Sequence, residues 1–487
     1  MPMKTKRILV PILNIVVPGL LTLVILPAAA QSLVGDTLTR ARADDGSFIS
    51  WKEHRIDDPA MSGVDISGSD GLVMADLDGD GFEDIVSVHE SDHAYDSAQE
   101  LPGFVPEPRG HIRVAFGSAD PDKWTNITLA EGPEVSAVED AAIGDVNGDG
   151  YPDVMAAVEL SHLIYLQNPG PGMRTGPWPR LILPVSQNRG SFIRVYLEDI
   201  DGDGKPEATA ANKGAQRPGP QDYARSTPVS IFKVTGDPLE GDSWEEIVLG
   251  RYSVPRNTEP FDLDQDGDLD VLVGSTGERR IVFFENVDAA NLQFKEHAIG
   301  INGPAMQGFR IRYFDLSGDG RLDMVSQVSR VGLAWIEQPA RMDDAWNSYP
   351  IGSFGTDTMT GIELADINGD GYMDVMAGSY SGGDRMEDTD VGINDALGRL
   401  AWFENPGDAK SQWTRHDISR RKRAMFDKFI ARDIDGDGDM DFVSTRGNSY
   451  PYDGVFWLEQ VRTPNPVAAF EKARAEDSPE MPLPTRN

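Results

Sequence analysis

Seven times this chain spells an acidic, glycine-punctuated nonapeptide close to Asp-x-Asp/Asn-Gly-Asp-Gly-x-x-Asp, at 76–84, 145–153, 199–207, 262–270, 315–323, 366–374 and 433–441. Successive copies start 51 to 69 residues apart. Recurrence on this scale marks a repeat architecture, in which no unit can bury its apolar face alone. Within each copy, oxygen-bearing side chains at positions one, three, five and nine can converge on one hard cation, and the chemistry is that of calcium. Position one is Asp76, Asp145, Asp199, Asp262, Asp315, Asp366 and Asp433. Position three is Asp78, Asn147, Asp201, Asp264, Ser317, Asn368 and Asp435. Position five is Asp80, Asp149, Asp203, Asp266, Asp319, Asp370 and Asp437. Position nine is Asp84, Asp153, Glu207, Asp270, Asp323, Asp374 and Asp441. The glycines let the chain wrap an ion. The fifth loop, with Ser317, has fewer charged ligands and is expected to bind most weakly.

An EF-hand opens with a similar run, but it needs a bidentate Glu at position twelve and flanking helices. Position twelve here is Ser87, Ala156 or Ala377, and the residues after each ninth position read as strands. The motif is therefore a loop between two antiparallel strands. A metal-free acidic turn is the other reading, opposed by the mutual repulsion of crowded carboxylates.

Each unit has one plan. An alternating apolar strand enters the motif, as in 71–76, and a second leaves it, as in 84–89. A third carries an aromatic signature at 163–169, 281–286, 333–339 and 400–406. A fourth is often opened by tryptophan, as at Trp124, Trp244 and Trp413. Four short antiparallel strands repeated seven times describe an all-β, seven-bladed propeller. The chain begins with an orphan fourth strand at 51–56, and its last unit stops after a third strand at 455–459. The N-terminal strand is thus expected to close the ring, removing two exposed edges. The motifs, their spacing and the Trp-Phe-Glu-Asn-Pro type strands resemble the FG-GAP/VCBS repeat family, the propeller repeats also found in integrin α-subunits. The resemblance covers residues 47–461. It implies calcium on positions one, three, five and nine with help from the position-seven carbonyl. It leaves function open, because such propellers serve as adhesion modules, lectin-like binders and enzyme scaffolds.

Residues 1–30 read as a secretion signal: Lys4, Lys6 and Arg7, an apolar stretch at 8–26, then Ala28, Ala29 and Ala30. The alternative is a permanent anchor, which Pro11, Asn14 and Pro18 disfavour; no later segment is apolar enough to span. The expected destination is the periplasm or the exterior. The chain has no cysteine, so stability rests on the core and on ions. Residues 462–487, Pro-rich and charged, are expected to form a flexible tail. The 80 acids outnumber 44 bases and leave −36, which disfavours nucleic acid or an anionic membrane as partner. The basic run of Arg420, Arg421, Lys422 and Arg423 reads as a solvated inter-blade loop.

A ligand is expected on the face opposite the acidic loops, where the second-to-third-strand connections at 90–110, 212–228 and 379–398 are long. Counting back from each first Asp, positions two and four are mostly apolar and pack between blades. Position five faces the other way and holds Asp140, Arg194, Asn257, Arg310 and Lys428, around the central channel. Tyr196 and Arg312 lie deeper. Nearby loops carry Arg189, Arg256, Lys213, Arg217, Arg225, Tyr223, Arg446, Tyr450 and Tyr452. Arginine suits a carboxylate or sulfate; the alternative is internal pairing with Asp140, Glu259 or Glu363. His89 and His93 could act as base or hold a metal. Two function classes follow. One is a secreted binder of carbohydrate or extracellular protein. The other is a lyase or dehydratase on anionic or keto sugars, with Arg194, Arg310, Lys428, Tyr223, His89 and His93 supplying cation and base.

Overall fold

Strand periodicity sets the architecture. In the computed structural model, which describes residues 31–91, 110–304, 306 and 308–485, each acidic nonapeptide joins the first two strands of a blade. The expected signal segment, 1–30, lies outside the described residues, as does His93. Each blade is a meander of four antiparallel strands, as in Ser69–Ala75, Asp84–His89, Gly110–Phe116 and Thr125–Gly132. Seven such sheets make the ring. The strand Phe48–Asp57 pairs antiparallel with Gly454–Thr463, with Trp51 opposite Gln460, and so completes the seventh blade from the other end of the chain. No helix among the described residues is long and apolar enough to cross a membrane.

The core is distributed. Seven apolar clusters lie one in each blade interface. Ile56, Val443 and Trp457 meet Leu72 and Ile85 where the seventh blade abuts the first. The residues four before each motif, Leu72, Val195, Ile311, Ile362 and Phe429, are buried; of those two before, Leu197 is buried while Met74, Ile143 and Leu364 are half-buried. Blades also interlock through side-chain amides at the ends of third strands. Asn168 donates to the carbonyl of Leu77 in the preceding blade, and Gln338 and Gln460 do the same to Leu263 and Ile367.

The segment beyond 461 is not a free tail. Phe470–Glu471 adds a fifth, parallel strand beside Phe48–Asp57. The Asp477 carboxylate is fully buried against Arg421, at 3.2 Å, and Arg446. Ser478 accepts the Arg423 N–H at 2.9 Å, and Glu480 accepts the Arg420 N–H at 3.1 Å. The basic run is therefore not a solvated loop either: Arg420 and Arg421 are fully buried. Both readings failed for one reason. Charges of opposite sign in two distant, polar-looking segments neutralise each other only once the ring brings them together. Deleting residues 464–487 should strand Arg421 and Arg446 with Glu53 as their shared remaining acid. A loss of about 3 kcal/mol or more is expected in urea unfolding; an unchanged midpoint would mean that the docked segment contributes nothing.

Candidate functional site

The acidic loops share a backbone cradle. In the second blade, Asp145 accepts the N–H groups of Gly148, Asp149 and Gly150 at 2.8 to 3.0 Å. The fourth and sixth loop positions need left-handed backbone, for example φ +74° at Gly79 and +93° at Gly81. Gln265 adopts φ +62° in the fourth blade, where glycine is missing. The ninth acid ties three strands together. Asp84 accepts N–H groups from Leu77 and Gly117, both at 2.9 Å, and Asp374 accepts from Ile367 at 3.1 Å and Asn405 at 2.8 Å. Burial, reinforced by neighbouring loop carboxylates, pushes Asp84 up to about 6, Asp270 and Asp441 to about 7 and Asp374 to about 8. A crowded acid held this way is neutralised either by a proton or by a cation.

Several loops fit a cation. Carboxylate oxygens of Asp76, Asp78 and Asp84 lie within 4.8 Å of one another, as do those of Asp262, Asp264 and Asp270, and of Asp433, Asp435 and Asp441. Asp264 Oδ1 is buried with no hydrogen-bond donor, as an oxygen awaiting a metal would be. These donors are all hard oxygens, the set that suits calcium. The third-blade loop differs, because Lys233 sits among its acids.

At the opposite end of the innermost strands, the residues five before each motif do meet. Lys428 Nζ lies 3.0 Å from Asp140, and Arg194 lies 3.5 Å from both Asp140 and Asp427. Arg310 pairs with Asp427. A cavity of about 40 Å³ is lined by Asp140, Arg194, Arg310 and Lys428 with Tyr196, Glu259, Phe309 and Arg312. Deeper in the channel, Arg312 donates to Glu363 at 2.9 Å and the Tyr196 hydroxyl donates to Asn257 at 2.6 Å. Burial opposes the charge on Asp140, but Lys428 and Arg194 outweigh it and hold its carboxyl below the usual range. Burial, then the like charge of Arg194, pushes Arg310 down to about 10. The Phe309 ring lies 4.5 Å from the Arg194 guanidinium, 5.7 Å from that of Arg310 and 6.0 Å from that of Arg256. The same ring borders a second cavity of about 120 Å³ with Gln327, Ser329, Arg330 and Thr358.

A family model for the FG-GAP-like repeat matches residues 145–208 and 262–326, the second blade into the third and the fourth into the fifth. The chain carries FG-GAP-like repeats. No curated protein matches it. Among solved structures, the chain is similar to an Agrocybe aegerita lectin that recognises non-reducing terminal N-acetylglucosamine. That match has 14% identity and TM-score 0.42, covering 81% of this chain and 94% of that one. BBS1N in complex with ARL6DN is similar at 10% identity and TM-score 0.44, over 88% and 100% of the two chains. The NanB sialidase from Streptococcus pneumoniae is similar at 11% identity and TM-score 0.40, over 84% and 70%.

Within this propeller the expected site residues part company. Arg194, Arg310 and Lys428 converge. Tyr223 is 46% exposed in the helical turn Pro220–Tyr223 and lies outside the lining of the cavity that holds Arg194, Arg310 and Lys428. His89 is fully buried, with one ring nitrogen on Ser69 at 2.7 Å and the other on Ser87 at 2.9 Å, so it is sealed from any substrate at the mouth. The wider gathering of cations is corrected too. Arg189 pairs with Glu246, Lys213 with Glu159, Arg225 with Asp222 and Arg446 with Asp477. The internal-pairing alternative holds for Asp140 and Glu363, and its main acid was missed. Asp427 lies six before its motif, and so do Asp70, Glu139, Arg256 and Phe309. β-Bulges in five first strands, such as that between Val138 and Asp140, add a residue there. In those blades positions five and six both turn to the channel; the first strands of the fifth and seventh blades, Ile311–Phe314 and Phe429–Arg432, carry no bulge, and Phe309 and Asp427 lie just before them, outside the strand alternation. The signal was available as a second column of charged residues, but strict alternation hid it.

Proposed function

We propose that this chain is an exported, calcium-stabilised propeller that binds a saccharide at the channel mouth opposite its acidic loops. The observation that carries the reading is the surround of Phe309. A half-buried aromatic ring lies within 6.0 Å of three guanidiniums and lines a cavity with the amide, hydroxyl and guanidinium groups of Gln327, Ser329, Thr358 and Arg330. Aromatic faces take the C–H face of a sugar while charged and polar groups take its hydroxyls, the mix of apolar and convergent polar groups expected of a ligand site. The loop 379–398 contributes to the same end: Arg385 lies 3.4 Å from Glu90 of the first blade. Export follows from the basic-then-apolar N-terminus, and the net charge of −36 disfavours a polyanionic nucleic acid.

The elimination reading has less support. The mouth cations Arg194, Arg310 and Lys428 are already matched by Asp140 and Asp427, and His89 is sealed away. A glycan array probed with the chain from Gln31 onward, in calcium, tests the binding reading. Phe309→Ala should weaken the strongest hit at least about tenfold, or about 1.4 kcal/mol, with an unchanged circular dichroism spectrum. Blank arrays together with unsaturated sugar products in an absorbance assay would overturn binding in favour of elimination.

A further inference from the structure

The third-blade loop stands apart from its six counterparts in three linked ways. Its ninth acid is Glu207, where every other copy has aspartate. In those six the aspartate accepts an N–H from the third strand: Gly117, Asn168, Asn286, Gln338, Asn405 and Gln460, at 2.8 to 3.0 Å. Glu207 keeps the bond to its own loop, from Ile200 at 3.0 Å, but its other oxygen accepts from Lys233 Nζ at 2.9 Å. The same ammonium donates to Asp203 at 2.9 Å and to Asp201.

The identity of Lys233 is the second difference. Strand register places it where the fourth to seventh blades have Glu285, Glu337, Glu404 and Glu459. Those glutamates turn outward to the fourth strand, meeting His297, Tyr349, His416 and His54 at 2.6 to 3.0 Å. Lysine reverses the charge at this register and turns towards the loop instead. The third difference is what remains for a metal. The acids that approach one another in this blade are Asp199, Asp201 and Asp203, without the ninth. In the first, fourth and seventh blades the ninth acid belongs to the group.

We infer that the third-blade loop takes no calcium and that the Lys233 ammonium is its permanent, built-in cation. One lysine reaches three of the four acids. Asp199 stays beyond it, with Oδ2 on the Gly204 N–H at 3.0 Å and Oδ1 without a donor, so a calcium ion here would have to displace the ammonium from three of the four acids it needs as ligands. Arg174 is different in kind. It bridges Asp78 and Asp80 of the first blade from a neighbouring blade while 40% exposed, and Asp84 keeps its third-strand bond. That guanidinium covers a loop without replacing its ion.

The inference rests on the calcium reading of the other loops, and the test separates the two. Calcium stoichiometry is measured by equilibrium dialysis for the wild type and three variants. Asp264→Asn with Asp266→Asn, in the fourth blade, should lose one equivalent. Asp201→Asn with Asp203→Asn should lose none. Lys233→Gln with Glu207→Asp should gain one. A lost equivalent in the third-blade asparagine variant would overturn the inference, and so would a folded Lys233 variant with no gain. If the fourth-blade variant loses nothing, the calcium reading itself fails and this inference goes with it. If the Lys233 variant does not fold, the two asparagine variants still decide the matter.

Discussion

Chelation should lower the melting temperature of the ring by on the order of 10 °C at pH 7.5, and by much less at pH 5. A site held at a hundredfold over its dissociation constant contributes about 2.7 kcal/mol, and several such sites act on one closed ring. The pH dependence follows from the ninth acids. Burial and neighbouring carboxylates raise Asp84, Asp153 and Asp323 to about 6, Asp270 and Asp441 to about 7 and Asp374 to about 8 in the metal-free protein. The unfolded value is about 4. A raised folded value means that the native state holds the extra protons. Its stabilising effect is complete below pH ~4 and is lost as the pH rises through 6 to 8. Metal-free protein should therefore weaken across that window, while calcium, which needs the ionised acids, contributes most there. The difference between calcium and chelator samples isolates the loops, because groups elsewhere titrate in both. Equal melting temperatures at pH 7.5 would show that the loops are metal-free turns.

Asp357→Ala should cost about 3 to 5 kcal/mol in urea unfolding. Asp357 is fully buried, as are Arg399 and Arg420, whose guanidiniums approach it at 2.7 and 2.8 Å. It also accepts the Leu397 N–H at 3.0 Å. Removing it leaves two fully buried cations without the carboxylate they share. Arg399 keeps the more distant Asp417 at 3.4 Å, and Arg420 keeps carbonyl oxygens of Pro482 and Asp395. Asp357→Asn retains the shape and one acceptor and should lose less. The exposed pair of Lys123 and Asp120 is the control, and Asp120→Ala should leave the midpoint unchanged. A small effect at Asp357 would mean that the buried arginines find other partners or draw in water.

The architecture was legible because it depends on local pattern repeated. Alternation marked the strands, the acidic nonapeptides located every first-to-second-strand turn, and the orphan strand at 51–56 foretold the pairing with Gly454–Thr463. One copy of a weak signal is ambiguous; seven in register are not. The column that brings Arg194, Arg310 and Lys428 to one cavity was legible for the same reason.

What resisted reading was pairing across sequence distance. The sequence by itself determined the number of blades, their strand order and which side chains face the channel at the fifth position. Tertiary structure alone decided that Asp427 would neutralise Arg194 and Arg310, that Asp477 would meet Arg421 and Arg446, and that His89 would be walled in by two serines. A repeat period is written in neighbouring residues. A charge is satisfied by whichever opposite charge the closed ring brings within a few ångströms, and no local pattern records which one that is.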